Sequence, residues 1–92
     1  MPVNAMDQKN QIAPARKYYD GKLHRLLCDR IPEFVSGGRI DTGRLHVATG
    51  NARYTCYRWM IEDRVSPAAA KSLMEISKGR ITRIDILPFV LA

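Results

Sequence analysis

Prolines and glycines divide this chain into short segments, and that division limits how long any helix in it can be. Pro32 follows an amphipathic segment, Gly50 separates two short helical patterns, and Pro67 opens a third. Proline suits the first turn of a helix and disrupts its interior, whereas glycine suits the residue just past a helix end. With only 92 residues, the chain is expected to form one small domain of short helices.

The first helical pattern lies between residues 18 and 35. Its apolar residues are separated by three, four and eight positions, which predicts one helix that ends or kinks at Pro32. Ser-Gly-Gly at 36–38 then predicts a turn. The apolar residues that trace this face are Leu23, Leu26, Leu27, Ile31, Phe34 and Val35.

Two shorter helices are predicted on either side of Gly50. Asp41 or Thr42 can cap a helix that runs to about Thr49, and Gly50 suits the left-handed exit residue. A second helix is expected over 52–61. Helix, glycine turn and helix of these lengths form the outline of a helix-turn-helix.

The last third of the chain contains the clearest helix signals. Ser66 is a good N-cap, Pro67 fits the first helical position, and Gly79 follows the apolar stripe. Thr-Arg-Ile-Asp at 82–85 has the form of a capping box, and Pro88 stops the short helix after it. No stretch alternates clearly enough to predict a strand. The fold class is therefore predicted to be all-α, a compact helix-turn-helix bundle of about five helices.

The two chain ends carry different predictions. Residues 1–16 are polar, contain two prolines and show no periodicity, which predicts a flexible N-terminal arm before a helix-turn-helix domain over 17–92. The C-terminal segment from Ile84 to Leu91 is rich in apolar residues, so we expect it to be buried against its own core or a partner subunit.

Composition narrows the class of partner. Fifteen Lys and Arg against nine Asp and Glu give a formal net charge of +6, which favours polyanionic partners such as nucleic acid. No apolar run approaches the roughly 20 residues of a membrane span, and the N-terminus lacks the apolar stretch of a signal peptide. Cys28 and Cys56 show no close-spaced pattern, so free thiols in a reducing cytoplasm are expected.

The helix predicted over 52–61 has two chemically distinct faces. Cys56 and Trp59 are three residues apart and are expected to pack inward with Leu45. The opposite face of arginine and tyrosine suits a major groove, because arginine can bind a guanine edge through two hydrogen bonds. An ordinary solvated helix face remains an alternative. The four outward residues are Arg53, Tyr54, Tyr57 and Arg58.

The chain from Leu45 to Pro88 resembles Cro/repressor-type helix-turn-helix proteins, in particular the small phage-derived YdaS-like regulators. Leu45, Gly50 and Trp59 follow the spacing of that family, and "GRITRIDILP" at 79–88 is the most specific part of the likeness. The resemblance covers about half of the chain.

The resemblance implies a transcriptional regulator, a repressor of phage or prophage type. Such a protein is expected to bind double-stranded DNA sequence-specifically, as a homodimer on a palindrome. The resemblance assigns base contacts to Arg53, Tyr54 and Arg58, with Tyr57 beside them. Phosphate contacts fall to Thr42, through its amide and hydroxyl, and to Arg44. It implies no cofactor, metal ion or small-molecule substrate.

Three positions depart from the family pattern. His46, Thr49 and Asn51 are polar where the family usually has alanine, leucine and valine. Either the two helices pack less closely than usual, or the first of them is shifted along the sequence. A degenerate helix-turn-helix that binds protein instead of DNA is therefore the alternative function.

Catalytic and metal chemistry have weaker support. His24 and Cys28 are four residues apart and could chelate zinc with His46 and Cys56, but the latter pair is ten residues apart and Cys56 fits the core better. The alternative is a surface histidine beside a buried thiol. Cysteine nucleophilic catalysis needs a nearby base and a pocket, and no phosphate-binding glycine loop is present. We therefore expect that the protein is not an enzyme.

Overall fold

The computed structural model describes residues 17–90, which form five α-helices and one two-stranded hairpin. The predicted arm at 1–16 lies outside the described residues. The elements are α1 (Lys22–Arg30), β1 (Val35–Ser36), β2 (Arg39–Ile40), α2 (Thr42–Thr49), α3 (Arg53–Glu62), α4 (Pro67–Ile76) and α5 (Arg83–Ile86). Single 3-10 turns cover Tyr18–Asp20, Pro32–Phe34 and Leu87–Phe89. The prediction of a mostly helical chain is confirmed.

Helix α1 is shorter than the helix predicted over residues 18–35. It ends at Arg30 because Ile31 precedes proline and adopts non-helical angles (φ −130°, ψ 62°). Tyr18–Asp20, which lie within the span of the predicted helix, form a 3-10 turn instead. The predicted apolar residues that follow α1 still contribute to the core: Ile31 is buried, and Phe34 and Val35 pack against it. Helical spacing therefore indicated their burial but not the helix end.

The hairpin corrects the prediction that the chain contains no strand. Val35 pairs with Ile40 and Ser36 with Arg39 across a two-residue turn. Gly37 and Gly38, the two residues of that turn, both have positive φ (62° and 80°), which only glycine adopts readily. Strands of two residues are too short to show an alternating pattern, so the sequence revealed the turn but not the pairing.

Helices α2 and α3 match the predicted spans to within one residue. The Asp41 carboxylate accepts hydrogen bonds from the backbone N–H groups of Gly43 (2.9 Å) and Arg44 (3.2 Å), which caps α2. At its other end Gly50 is left-handed (φ 75°) and donates its N–H to the carbonyl of His46 (2.9 Å). Local sequence chemistry therefore determines both ends of α2.

Thr49 and Asn51, two of the polar residues that depart from the family pattern, form hydrogen bonds at the end of α2. The Thr49 hydroxyl donates to the Leu45 carbonyl (2.9 Å), and the Asn51 side-chain amide donates to the Thr49 carbonyl (3.3 Å). Leu45 and Cys56 are fully buried between the two helices. The polar substitutions thus neither shift α2 along the sequence nor expose the contact between α2 and α3.

The predicted caps of α4 and α5 are confirmed. The Ser66 hydroxyl accepts the Ala69 N–H (3.1 Å). Thr82 and Asp85 form the reciprocal capping box, with hydrogen bonds of 3.0 and 3.2 Å. Pro88 lies within the 3-10 turn that follows α5 rather than directly ending it.

The C-terminal segment is buried only in part against the chain's own core, and burial of its exposed residues against a partner subunit stays a prediction. Ile86 is 2% exposed, whereas Ile84 and Leu87 are 83% and 65% exposed. The Phe89 carbonyl accepts the Val65 N–H (2.8 Å), which fixes the segment beside the loop between α3 and α4. Leu91 lies outside the described residues.

One apolar core joins all five helices and the hairpin. Each fully buried aliphatic side chain contributes roughly 1.5–3 kcal/mol relative to exposure. Arg30 at the end of α1 also pairs with Asp85 and donates to the Arg80 carbonyl (2.9 Å), which ties α1 to α5. None of the described helices is long and apolar enough to cross a membrane. The main core residues are Leu23, Leu27, Ile31, Ile40, Leu45, Cys56, Trp59, Met60, Val65, Leu73, Ile81 and Ile86.

Candidate nucleic-acid interface

Helix α3 has one buried face and one exposed face, as its sequence predicts. Cys56 and Trp59 are in the core. Arg53, Tyr54 and Arg58 are exposed, and Tyr54 is 71% exposed. The exposed face therefore presents two guanidinium groups and a phenol near the start of a helix.

Arg53 is held in position by Thr42. The Arg53 Nε donates a hydrogen bond of 2.8 Å to the Thr42 hydroxyl, across the junction between α2 and α3. Thr42 is only 2% exposed, so its side chain does not face solvent as the predicted phosphate contact requires. Its observed role is to position Arg53, and the terminal nitrogens of Arg53 keep their donors for another partner.

Arg44 is exposed but lies apart from the α3 face. One terminal nitrogen donates to the Glu33 carbonyl (3.0 Å), and its Nε lies 3.8 Å from the Asp41 carboxylate. It lines a groove with Phe34 and Val47 rather than with the arginines of α3. The structure therefore does not group Arg44 with the other predicted DNA contacts.

Tyr57 is part of an aromatic cluster, and it also lines a cleft beside α3 together with Arg53. Its ring packs edge-on against Tyr18 with centroids 5.0 Å apart. Tyr18 also donates its hydroxyl to the Ile40 carbonyl (3.1 Å), and burial is the main cause that raises its pKa. Half-buried Tyr57 thus links α3 to the N-terminal 3-10 turn and the hairpin.

Arg58 forms an ion pair with Glu62 one helical turn away. Its Nε and a terminal nitrogen lie 3.2 and 3.0 Å from one Glu62 carboxylate oxygen, and hydrogen bonding to Glu62 is the main cause that raises the pKa of Arg58. Both side chains are about half exposed. Exposed pairs of this kind contribute only about 0–1 kcal/mol, so an anionic or hydrogen-bonding ligand can replace Glu62 at low cost.

Two clefts flank the exposed face of α3, and each contains a further arginine that is not among the predicted site residues. The first, the hairpin cleft, has a volume of about 400 Å³ and lies between the β1–β2 hairpin and α3, with Arg39 and Arg53 among its lining residues. The second has a volume of about 230 Å³ and includes Arg58 and Arg64. Nothing local in the sequence marks Arg39, because its proximity to α3 depends on the fold. Arg64 follows the end of α3 by two residues, so its position in the sequence was a usable signal.

The charges around α3 are predominantly positive. Asp41 lines the hairpin cleft, but its carboxylate already accepts two N–H groups of α2. Glu62 lines the second cleft and is paired with Arg58. Four arginines lie on the exposed face of α3 or in the two clefts beside it, so the surface suits an extended anionic ligand. They are Arg39, Arg53, Arg58 and Arg64.

Of the four candidate zinc ligands, only His24 and Cys28 lie close together. His24 is 5% exposed, which corrects the interpretation of a surface histidine, and its Nε2 accepts the Ile40 N–H (3.1 Å). Half-buried Cys28 lies 3.5 Å from the same ring nitrogen, and burial raises the pKa of its thiol. Across residues 17–90, no three side chains of His, Cys, Asp or Glu are close enough to hold a metal ion.

The resemblance to Cro/repressor-type regulators, expected from Leu45, Gly50, Trp59 and the stretch at 79–88, stays a prediction from the sequence. Comparison of the chain with protein-family models, curated proteins and solved structures finds no significant match.

Proposed function

We propose that this protein is a sequence-specific double-stranded DNA-binding regulator of transcription, in which α2 and α3 form a helix-turn-helix. The observation that carries the proposal is the exposed face of α3, where Arg53, Tyr54 and Arg58 lie opposite the buried Cys56 and Trp59. An amphipathic helix that presents arginine to solvent can enter a major groove and donate hydrogen bonds to base edges.

The spacing of the two arginines suits base pairs about two steps apart. Arg53 and Arg58 are five residues apart, which is roughly 7.5 Å along the axis of α3, or about two base-pair steps. Arg53 is preorganised because Thr42 fixes its Nε, so less side-chain freedom is lost on binding. Arg58 can exchange Glu62 for a base edge.

The surroundings of α3 also favour a nucleic acid over an uncharged partner. Arg39 and Arg64 extend the positive surface on either side of the helix. Backbone phosphates supply much of the affinity in protein–DNA complexes, and base contacts supply the specificity. A positive surface around a reading helix provides both.

The proposal includes a homodimer on a palindromic site, as the family resemblance implies. Two copies related by a two-fold axis would place their α3 helices in successive major grooves, about 34 Å apart. Binding of such a dimer near a promoter would repress transcription.

Selection of bound duplexes from a random pool, followed by affinity measurements on the recovered site, tests the proposal. We expect a palindrome. Arg53→Ala and Arg58→Ala should each weaken cognate binding by about 1–3 kcal/mol and relax the preference at one position per half-site. Arg83→Ala is the matched control, since Arg83 is an exposed arginine that lines a different groove, beside Leu87.

Glu62→Gln tests the role of the ion pair in the same assay. Removal of the carboxylate frees Arg58 and deletes a negative charge beside the DNA, so affinity for the cognate duplex should rise. The proposal fails if folded Arg53 and Arg58 variants bind the selected duplex as tightly as the parent. A protein-interaction module, favoured by the exposed Tyr54 ring, would then be the better function.

A further inference from the structure

The hairpin cleft brings Arg39 and Arg53 to the same concave surface, although they are 14 positions apart in the sequence. Arg39 comes from β2 and Arg53 from the start of α3. Ser36 and Gly37 of the hairpin also line the cleft. Its open side therefore carries two cationic groups and little apolar surface.

Arg39 is oriented by an aromatic ring and not by an acid. Its guanidinium carbon lies 4.0 Å from the centroid of the Tyr19 ring. The Tyr19 ring is in turn held edge-on against Tyr18, with centroids 5.3 Å apart. Among residues 17–90, no carboxylate pairs with Arg39. A guanidinium that stacks through its face keeps its in-plane N–H donors available.

The hairpin turn leaves Arg39 accessible. Gly37 and Gly38 are exposed, and a Cβ at either position would contact nothing within 4 Å. The glycines are needed for their positive φ and not for packing. A turn without side chains allows a polymer backbone to approach Arg39 closely.

We infer that the hairpin cleft binds a phosphodiester group of the DNA backbone, with Arg39 as its main contact. The inference rests on the proposed function, and it adds the hairpin as a second DNA-binding element beside α3. Arg53, at the other side of the cleft, remains available to the bases. Asp41 opposes an anion here, but it is engaged by the amides of α2 and is outnumbered by the two guanidinium groups.

A phosphate contact and a base contact differ in their response to sequence and salt. Arg39→Ala should weaken binding to the selected duplex and to a scrambled duplex by the same factor, roughly fivefold at moderate salt, and should reduce the salt slope by about one unit. Arg39→Lys should retain the slope, because it retains the charge. Arg83→Ala again provides the control for loss of one arginine.

A scan of single methylphosphonate substitutions, which remove the charge of one phosphate at a time, locates the contact. Neutralising the phosphate that Arg39 contacts, one per half-site, should weaken DNA binding by the parent. The same substitution should not weaken binding by the Arg39→Ala variant, because that contact is already absent. Circular dichroism checks that each variant is folded. If Arg39→Ala does not fold, the same scan with Arg39→Lys decides, because a shortened contact should reduce the loss at that phosphate alone.

The outcomes separate this inference from the proposed function. Unchanged affinity and salt slope for Arg39→Ala, together with weakened cognate binding by Arg53→Ala, would overturn the phosphate contact and retain α3 as the reading helix. A loss confined to the cognate duplex would also overturn it, because Arg39 would then contact a base. If no variant of Arg53, Arg58 or Arg39 affects binding, both the function and the cleft assignment are wrong.

Discussion

The buried His24 is a residue whose protonation state is linked to the hairpin. Its Nε2 accepts the Ile40 N–H, and only a neutral imidazole has a nitrogen free to accept. Burial is the main cause that lowers its pKa, the charge of Arg39 lowers it further, and Asp20 opposes both. Tyr18 covers the ring edge-on and Cys28 lies beside it. The folded protein therefore favours neutral His24.

Stability should accordingly fall in mild acid. Because the pKa of His24 is lower in the folded state, the unfolded state binds the proton first as the pH falls. The contribution of neutral His24 to the free energy of unfolding is therefore present above about pH 6.5 and declines below it. His24→Gln retains a hydrogen-bond acceptor. We expect the free energy of unfolding of this variant, measured by urea unfolding, to depend less on pH between about pH 7.5 and pH 5.5 than that of the parent. His46→Gln is the control with the only other histidine. An equal dependence in parent and His24→Gln would contradict this account.

Single residues also show which parts of the site were predictable. Cys56 and Trp59 were assigned to the core correctly because both lie on one helix, where spacing determines the face. Thr42 was assigned to a phosphate, but the fold buries it and gives its hydroxyl to Arg53. Arg39 was missed because the hairpin and Tyr19 place it. The surroundings of Thr42 and Arg39 depend on packing between separate elements, which the spacing of residues along one helix cannot predict.

At the scale of elements, the predictable helix ends are those with local caps. Asp41, Ser66 and Thr82 each bond backbone groups within three residues, so the sequence alone indicated them. Helix α1 differs, because its N-cap is Gly21, which has no side chain to contribute. The Leu23 N–H instead donates to the Asp63 carboxylate at 3.0 Å, 40 positions along the chain. No sequence pattern could have revealed this cap.

Asp63 should therefore stabilise α1 from a distance. We expect Asp63→Ala to lower the free energy of unfolding by about 1–2 kcal/mol, through loss of the cap and through strain, since Asp63 has φ 54°. Asp63→Asn should cost much less, because asparagine keeps the acceptor and tolerates positive φ. Chemical denaturation measures both. Asp29→Ala is the matched control: Asp29 is exposed and forms a surface ion pair with Arg30 (2.9 Å), so the expected change is within about 1 kcal/mol. Equal losses for Asp63→Asn and Asp63→Ala would argue against a capping role.

At the scale of the whole molecule, the C-terminal segment closes the core that α1, α3 and α4 begin. Asp85 pairs with Arg30 of α1, and the Phe89 carbonyl accepts the N–H of Val65. Ile86, between these two ties, is buried. The mostly helical class was predictable from periodicity and caps. The ties were not, because each joins residues more than twenty positions apart.

Ile86 and Leu87 provide a matched test of this closure, because truncation to alanine removes three carbon atoms from each. Ile86 is 2% exposed and Leu87 is 65% exposed. Ile86→Ala should cost about 2–5 kcal/mol through lost burial and a residual cavity, which lowers the melting temperature by roughly 8 °C or more in a domain of this size. Leu87→Ala should change stability by less than about 0.5 kcal/mol. Thermal unfolding followed by circular dichroism measures both. Equal melting temperatures for the two variants would mean that the segment does not close the core, and that the fold is held by α1–α4 and the hairpin alone.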